Sequence, residues 1–220
     1  MKIRLTLLIN LIAFQFSLAH ESGNWWMYFG DAKVSGRIHL HHEIQYRNYN
    51  FIGDLEQLLI RGGVGYDLSP NNHNLLLGYG FIQSEIEGEN NGVAPVIEHR
   101  IFQQYLAKHK AGRINFMHRL RMEERFVEGN TKYRFRYFIS GKIPLSKRQL
   151  EARTWYASLY SELFLEPGIN PFERNRLYGA LGYAFNNRLK IEAGYMSQIY
   201  LNSHSPQFQI ALFNTLDLRR

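Results

Sequence analysis

The sequence contains no cysteine, which excludes disulfides, thiolate chemistry and the small disulfide-stapled secreted scaffold. Beyond residue 20 it has no apolar run approaching the roughly eighteen residues of a membrane-crossing helix. No helical period of useful length appears either, which excludes helical bundles. Carboxylates are scarce, with 19 Asp+Glu against 26 Lys+Arg and a net charge of +7, two of the cations being Lys2 and Arg4 near the start. The remaining basic residues are scattered among Glu and Gln over many segments and not gathered into one patch, so no nucleic-acid partner is expected.

Residues 1–19 read as a secretory signal peptide. Lys2 and Arg4 form a basic start, Leu5 to Phe16 an apolar core, and Ser17-Leu18-Ala19 a small-x-small cleavage site. Residues 20–220 are then expected to form one exported domain. Aromatic residues are abundant at 15%, including 14 Tyr and 15 Phe.

Alternation at period two dominates the rest of the chain. The stretch Arg113 to Val127, RINFMHRLRMEERFV, puts Arg119, Arg121, Glu123 and Arg125 on one face. Ile114, Phe116, Leu120, Met122 and Phe126 fall on the other. A helix would smear both sets around its axis, whereas a strand separates them. The same pattern recurs from Trp25 to Leu218 in segments of about 10 to 14 residues, long for a soluble sandwich and matched to a tilted membrane crossing. The connections between segments one and two, three and four, five and six, and nine and ten are short. Asn186-Asn187 reads as a two-residue hairpin.

Backbone groups cannot go unpaired in hydrocarbon, so such strands must close on themselves, apolar side chains outward and charged ones inward. The expected fold is all-β, an antiparallel up-and-down transmembrane β-barrel of about 10–12 strands with a polar, charged lumen. Eleven segments can be counted, an odd number, and twelve is favoured on the even-number rule for bacterial barrels. Trp25, Trp26, Tyr28, Tyr46, Tyr66, Tyr133 and Tyr200, near segment ends, are expected to form interface girdles.

Several short pieces fall in an order that resembles one family. They are Arg100-Ile101-Phe102-Gln103-Gln104, Arg119 through Phe126, Arg134-Phe135-Arg136-Tyr137, Tyr160 through Phe164, Asn175 through Gly179, and Gly194-Tyr195-Met196. Together they resemble the domain of unknown function 2490 family of bacterial outer-membrane β-barrel proteins. That resemblance implies a fold and a cell outer-membrane address in a Gram-negative bacterium, and brings no activity with it.

The lumenal charge network is the candidate binding site: Arg100, Arg119, Arg121, Glu123, Arg125, Arg134, Arg136, Glu162 and Arg176. Its bland role is to fill the interior with Arg–Glu hydrogen bonds. Its functional role would be a small-solute passage, with anions favoured by the excess of Arg. His39, His41 and Glu43 share one strand face, but spacing two separates neighbours by about 6.5–7 Å, so no metal site is assigned. Ser197 and the outward His42, His99, His109 and His118 form no local catalytic motif, so no catalytic residue, enzyme activity or cofactor is expected. The expected partners are outer-membrane lipid and the barrel-insertion machinery, around a monomer. The alternatives are a lipid-modifying outer-membrane enzyme and a soluble periplasmic ligand-binding β-barrel.

Overall fold

The computed structural model describes residues 23–50, 53–69, 72–87 and 93–219. The expected signal peptide over 1–19 lies outside the described residues. Eleven strands follow one another: β1 Gly23–Lys33, β2 Ile38–Asn48, β3 Leu55–Ser69, β4 His73–Glu87, β5 Val93–Ala111 and β6 Ile114–Val127. They continue with β7 Asn130–Pro144, β8 Thr154–Leu165, β9 Phe172–Ala184, β10 Leu189–Ile199 and β11 His204–Asp217.

Each strand pairs antiparallel with its sequence neighbours, and the sheet closes through β1 against β11. That seam is parallel, running from Gly23↔Gln207 to Lys33↔Asp217. An odd count is therefore accommodated without a missing strand, and the favoured twelve is corrected to eleven. The even-number rule assumes an antiparallel closure, which this seam does not use.

The connections define a proximal rim, where β1 begins, and a distal rim, where it ends. All four connections expected to be short do lie at the distal rim, together with the longer 145–153. The proximal rim breaks the asymmetry with the two-residue turn 128–129, where Glu128 (φ 50°) and Gly129 (φ 76°) both take positive φ. Positive φ at both central residues matches the twist of the flanking strands. The expected two-residue hairpin at Asn186-Asn187 is instead a loop over 185–188, in which Asn186 Oδ1 accepts from the Arg188 and Leu189 amides at 2.8 Å.

Polarity is inverted relative to a soluble barrel. Val64, Leu77, Leu120 and Leu159 on the outer face are each more than half exposed, whereas Glu43, Arg121, Glu123 and Glu162 are buried. Large rings also fill the interior. A Cβ on Gly78 would meet the Phe102 ring at 2.3 Å, and one on Gly182 the Tyr156 ring at 2.3 Å. Glycine at these two points lets an aromatic from the neighbouring strand lie flat on the wall.

Trp25 corrects the girdle expectation. It is buried with Tyr178 and Met196 in an interior cluster, and the Arg47 guanidinium lies 3.7 Å from its ring. Its parity in β1, opposite Arg47 of β2, sets it inward. Tyr200 also turns inward, accepting from Arg174 at 3.3 Å, whereas Tyr46, Tyr66 and Tyr133 are exposed on the outside.

Candidate functional site

Period-two alternation along β5 to β9 sends every second side chain into the barrel, and the register stacks these residues into a belt. All nine residues of the expected network point inward. Arg100, Arg121, Glu123, Arg134, Arg136, Glu162 and Arg176 are buried, and Arg119 and Arg125 are partly buried. Arg113, at the head of the same alternation, does not join them. It sits in the turn before β6, and its Nη2 donates to the carbonyls of Pro144 and Lys147 at 2.8 Å.

The register creates like-charge pairs that must be bridged. Arg100 stands directly opposite Arg125, and Arg121 directly opposite Arg136. Like charges facing each other across a ladder are destabilising. Glu98 resolves the first pair by accepting both forks: Arg100 at 2.7 and 2.9 Å, and Arg125 at 2.5 and 3.1 Å. Such bidentate, charge-assisted contacts are the strong ones.

Glu123 resolves the second pair. It accepts from Arg136 Nη1 at 2.6 Å and lies 3.6 Å from Arg121 Nη1. Arg100 and Arg134 approach its other oxygen at 3.7 and 3.8 Å.

Glu162 continues the network across β7 to β9, accepting from Arg119 at 2.6 Å and from Arg136 at 2.6 and 3.1 Å. Arg176 is farther off, 3.9 Å from Glu162, and donates to Gln198 at 3.0 Å. Arg121 likewise relies on a neutral partner, donating twice to Gln104 Oε1 at 2.7 and 3.1 Å.

Rings supply the remaining support. Phe164 lies beneath Arg136 and Arg176 at 4.5 and 4.6 Å, and Phe102 beneath Arg121 at 4.4 Å. A guanidinium over a ring face gains from the ring quadrupole, more so when desolvated. The outcome is a densely packed belt: Glu123 has 0% exposure and Arg136 6%.

Glu98, Gln104, Phe102 and Phe164 complete this belt and are absent from the expected set. Parity could have found them, since Glu98, Arg100, Phe102 and Gln104 are successive same-face residues of one strand. Glu166, just beyond β8, could not have been placed by alternation. It accepts from Arg125 at 2.6 Å and from Arg134 at 2.7 Å, closing the belt toward the proximal rim. Its burial raises the carboxyl pKa, but the hydrogen bond and charge of Arg134 and the charge of Arg125 outweigh that and hold it below the usual value.

The histidine row is committed to protein partners. His41 is hydrogen-bonded to Asp31 at 3.0 Å and to Glu43 at 3.4 Å, while Glu43 accepts from Arg61 at 2.8 Å. Among the described residues no group of three or more His, Asp or Glu has metal-holding geometry. On the outside, Ser197 faces Pro206 and Leu177 and forms no hydrogen bond to a histidine among the described residues. His42, His99 and His118 instead pair with Tyr28, Tyr79 and Tyr137 at 2.9, 2.5 and 2.9 Å. Each pair ties adjacent strands while satisfying two polar groups on an apolar wall.

The model of the family described as "Protein of unknown function (DUF2490)" matches residues 22–209. No curated protein and no solved structure matches the chain.

Proposed function

The chain belongs to the DUF2490 family, and from that premise we propose that it is an outer-membrane β-barrel, exported through its leader, with a lumen held shut by buried ion pairs. One observation carries the reading: the outer wall exposes large apolar side chains while the interior buries Arg136, Glu123 and Glu162. Water outside such a wall would oppose this arrangement, whereas hydrocarbon outside favours it. Closure supports it too, because no strand edge is left to be satisfied by lipid.

On this reading the protein is a monomer that contacts lipid around its circumference and is not an enzyme. Its belt is a structural core of polar composition, the role that a filled lumen takes in a narrow barrel. A second reading, passage of a small anion, is favoured by one feature. Among the described residues, Arg47, Arg61, Arg100, Arg121, Arg134, Arg136 and Arg176 are buried against Glu43, Glu98, Glu123, Glu162 and Glu192. Passage would require that surplus to reorganise around a travelling anion.

Three measurements test the proposal. Outer-membrane extracts should yield a band whose gel migration shifts on heating, and the purified protein should be silent in planar bilayers. Recovery in the soluble periplasmic fraction would overturn the membrane assignment, and steady anion-selective steps from the wild-type chain would replace the closed barrel with the passage. Hydrolysis of phospholipid or lipid A that disappears in Ser197→Ala would overturn the non-enzymatic reading.

A further inference from the structure

The outer wall carries a groove beside the distal rim. Its volume is about 740 Å³, and Ile38, Val64, Tyr66, Leu75, Tyr105 and Leu120 are among its lining residues. That size lies within the range of small-molecule sites, roughly 300–1,000 Å³. A convex barrel wall has no packing need for such a depression.

Two tyrosines of the groove each hold a basic partner at the rim. Tyr66 accepts from Arg37 Nη1 at 3.1 Å, with the guanidinium 6.0 Å from its ring. Tyr105 is hydrogen-bonded to His73 Nδ1 at 2.7 Å, and the two rings stack at 6.0 Å. Arg37 immediately precedes β2 and His73 opens β4, so only β3 separates them, about 10 Å at the backbone. Both side chains are exposed, and neither forms an ion pair among the described residues. Apolar groove and basic rim thus meet at two tyrosines.

We propose that this groove binds one acyl chain of an anionic glycerophospholipid, whose phosphate is taken by Arg37 and His73. The inference rests on the membrane reading above. Charge complementarity selects the headgroup: a guanidinium and an imidazole favour a net negative group over a zwitterionic one.

Native mass spectrometry of the full chain released from detergent provides the test, with phosphatidylglycerol, phosphatidylethanolamine and lipid A as separate probes. We expect one phosphatidylglycerol to be retained about fivefold better than phosphatidylethanolamine, the effect of roughly one basic group at a membrane surface. The double variant Arg37→Ala/His73→Ala should abolish the preference. Tyr66→Phe, which keeps every charge but frees Arg37, should weaken it, and Leu75→Trp, which fills the groove, should reduce retention of both phospholipids. Heat-modifiable migration of each variant reports whether the barrel has formed. A folded barrel that retains the two phospholipids equally, prefers lipid A, or is indifferent to Arg37→Ala/His73→Ala overturns the site while leaving the membrane reading intact. A chain that stays soluble without detergent fails the membrane reading instead.

Discussion

Arg121 and Arg136 face each other directly across β6 and β7, two guanidinium groups at a position where a ladder ordinarily pairs opposite charges. Glu123, fully withdrawn from solvent, makes this arrangement tolerable. Removing one member of a buried ionic network strands the others, at a cost of about 3–5 kcal/mol. Glu123→Ala should therefore lower barrel stability by that amount in urea unfolding from detergent micelles followed by tryptophan fluorescence. The triple variant Arg121→Met/Glu123→Leu/Arg136→Met, which removes the charges together, should recover much of the loss.

Two buried tyrosines make a paired test of hydrogen-bonding cost. Tyr156 donates to Glu192 at 3.0 Å, whereas the Tyr178 hydroxyl, equally hidden, has no partner among the described residues. A hydrogen bond to a charged group is worth about 1.5–3 kcal/mol, and an unsatisfied hydroxyl contributes nothing favourable. Tyr156→Phe should destabilise within that range, while Tyr178→Phe should be neutral or slightly stabilising. The same unfolding assay separates them.

Alternation makes the faces of β6 legible in the sequence, because a strand of 14 residues sorts its side chains by parity alone. The closure was not legible. Pairing β1 with β11 joins residues about 180 positions apart, and nothing local in either strand states which way the partner runs. Trp25 was misplaced for a related reason, since its inward site depends on Arg47 across the ladder and on Tyr178 across the lumen. The arginines of the belt and the carboxylates Glu123 and Glu162 can be named from their own strands, but which arginine each carboxylate serves cannot. Glu162 is reached by Arg119 from two strands away, and Glu166 lies outside the alternation altogether.

The interior glycines predict a sharp positional contrast. A methyl group at Gly78 or Gly182 would fall 2.3 Å from the ring of Phe102 or Tyr156, while at Gly36 it would meet nothing within 4 Å. Overpacking a filled interior typically costs about 1–3 kcal/mol. Gly78→Ala and Gly182→Ala should each lose stability in that range, against a change within about 0.5 kcal/mol for Gly36→Ala at the surface. Unfolding midpoints of the three variants, measured side by side, check the order.

Acid should loosen the proximal rim before the belt. Glu166 lies beyond the end of β8, and Arg134 and Arg125 hold its carboxyl below the ordinary value of 4.5 despite the opposing effect of burial. A carboxyl whose folded pKa is depressed contributes stability above its unfolded pKa and loses it as pH falls through the folded one. The contribution is thus complete at neutral pH and drains away only below about 4.5. Its size is small, because the side chain is 34% exposed and solvent screens such pairs to at most about 1 kcal/mol. Glu166→Gln should lower stability slightly at pH 7 and converge with the wild type in acid. Urea midpoints taken from pH 7 to pH 3 would show the gap narrowing; a gap of undiminished size at pH 3 would mean that Glu166 acts through packing and not through its charge.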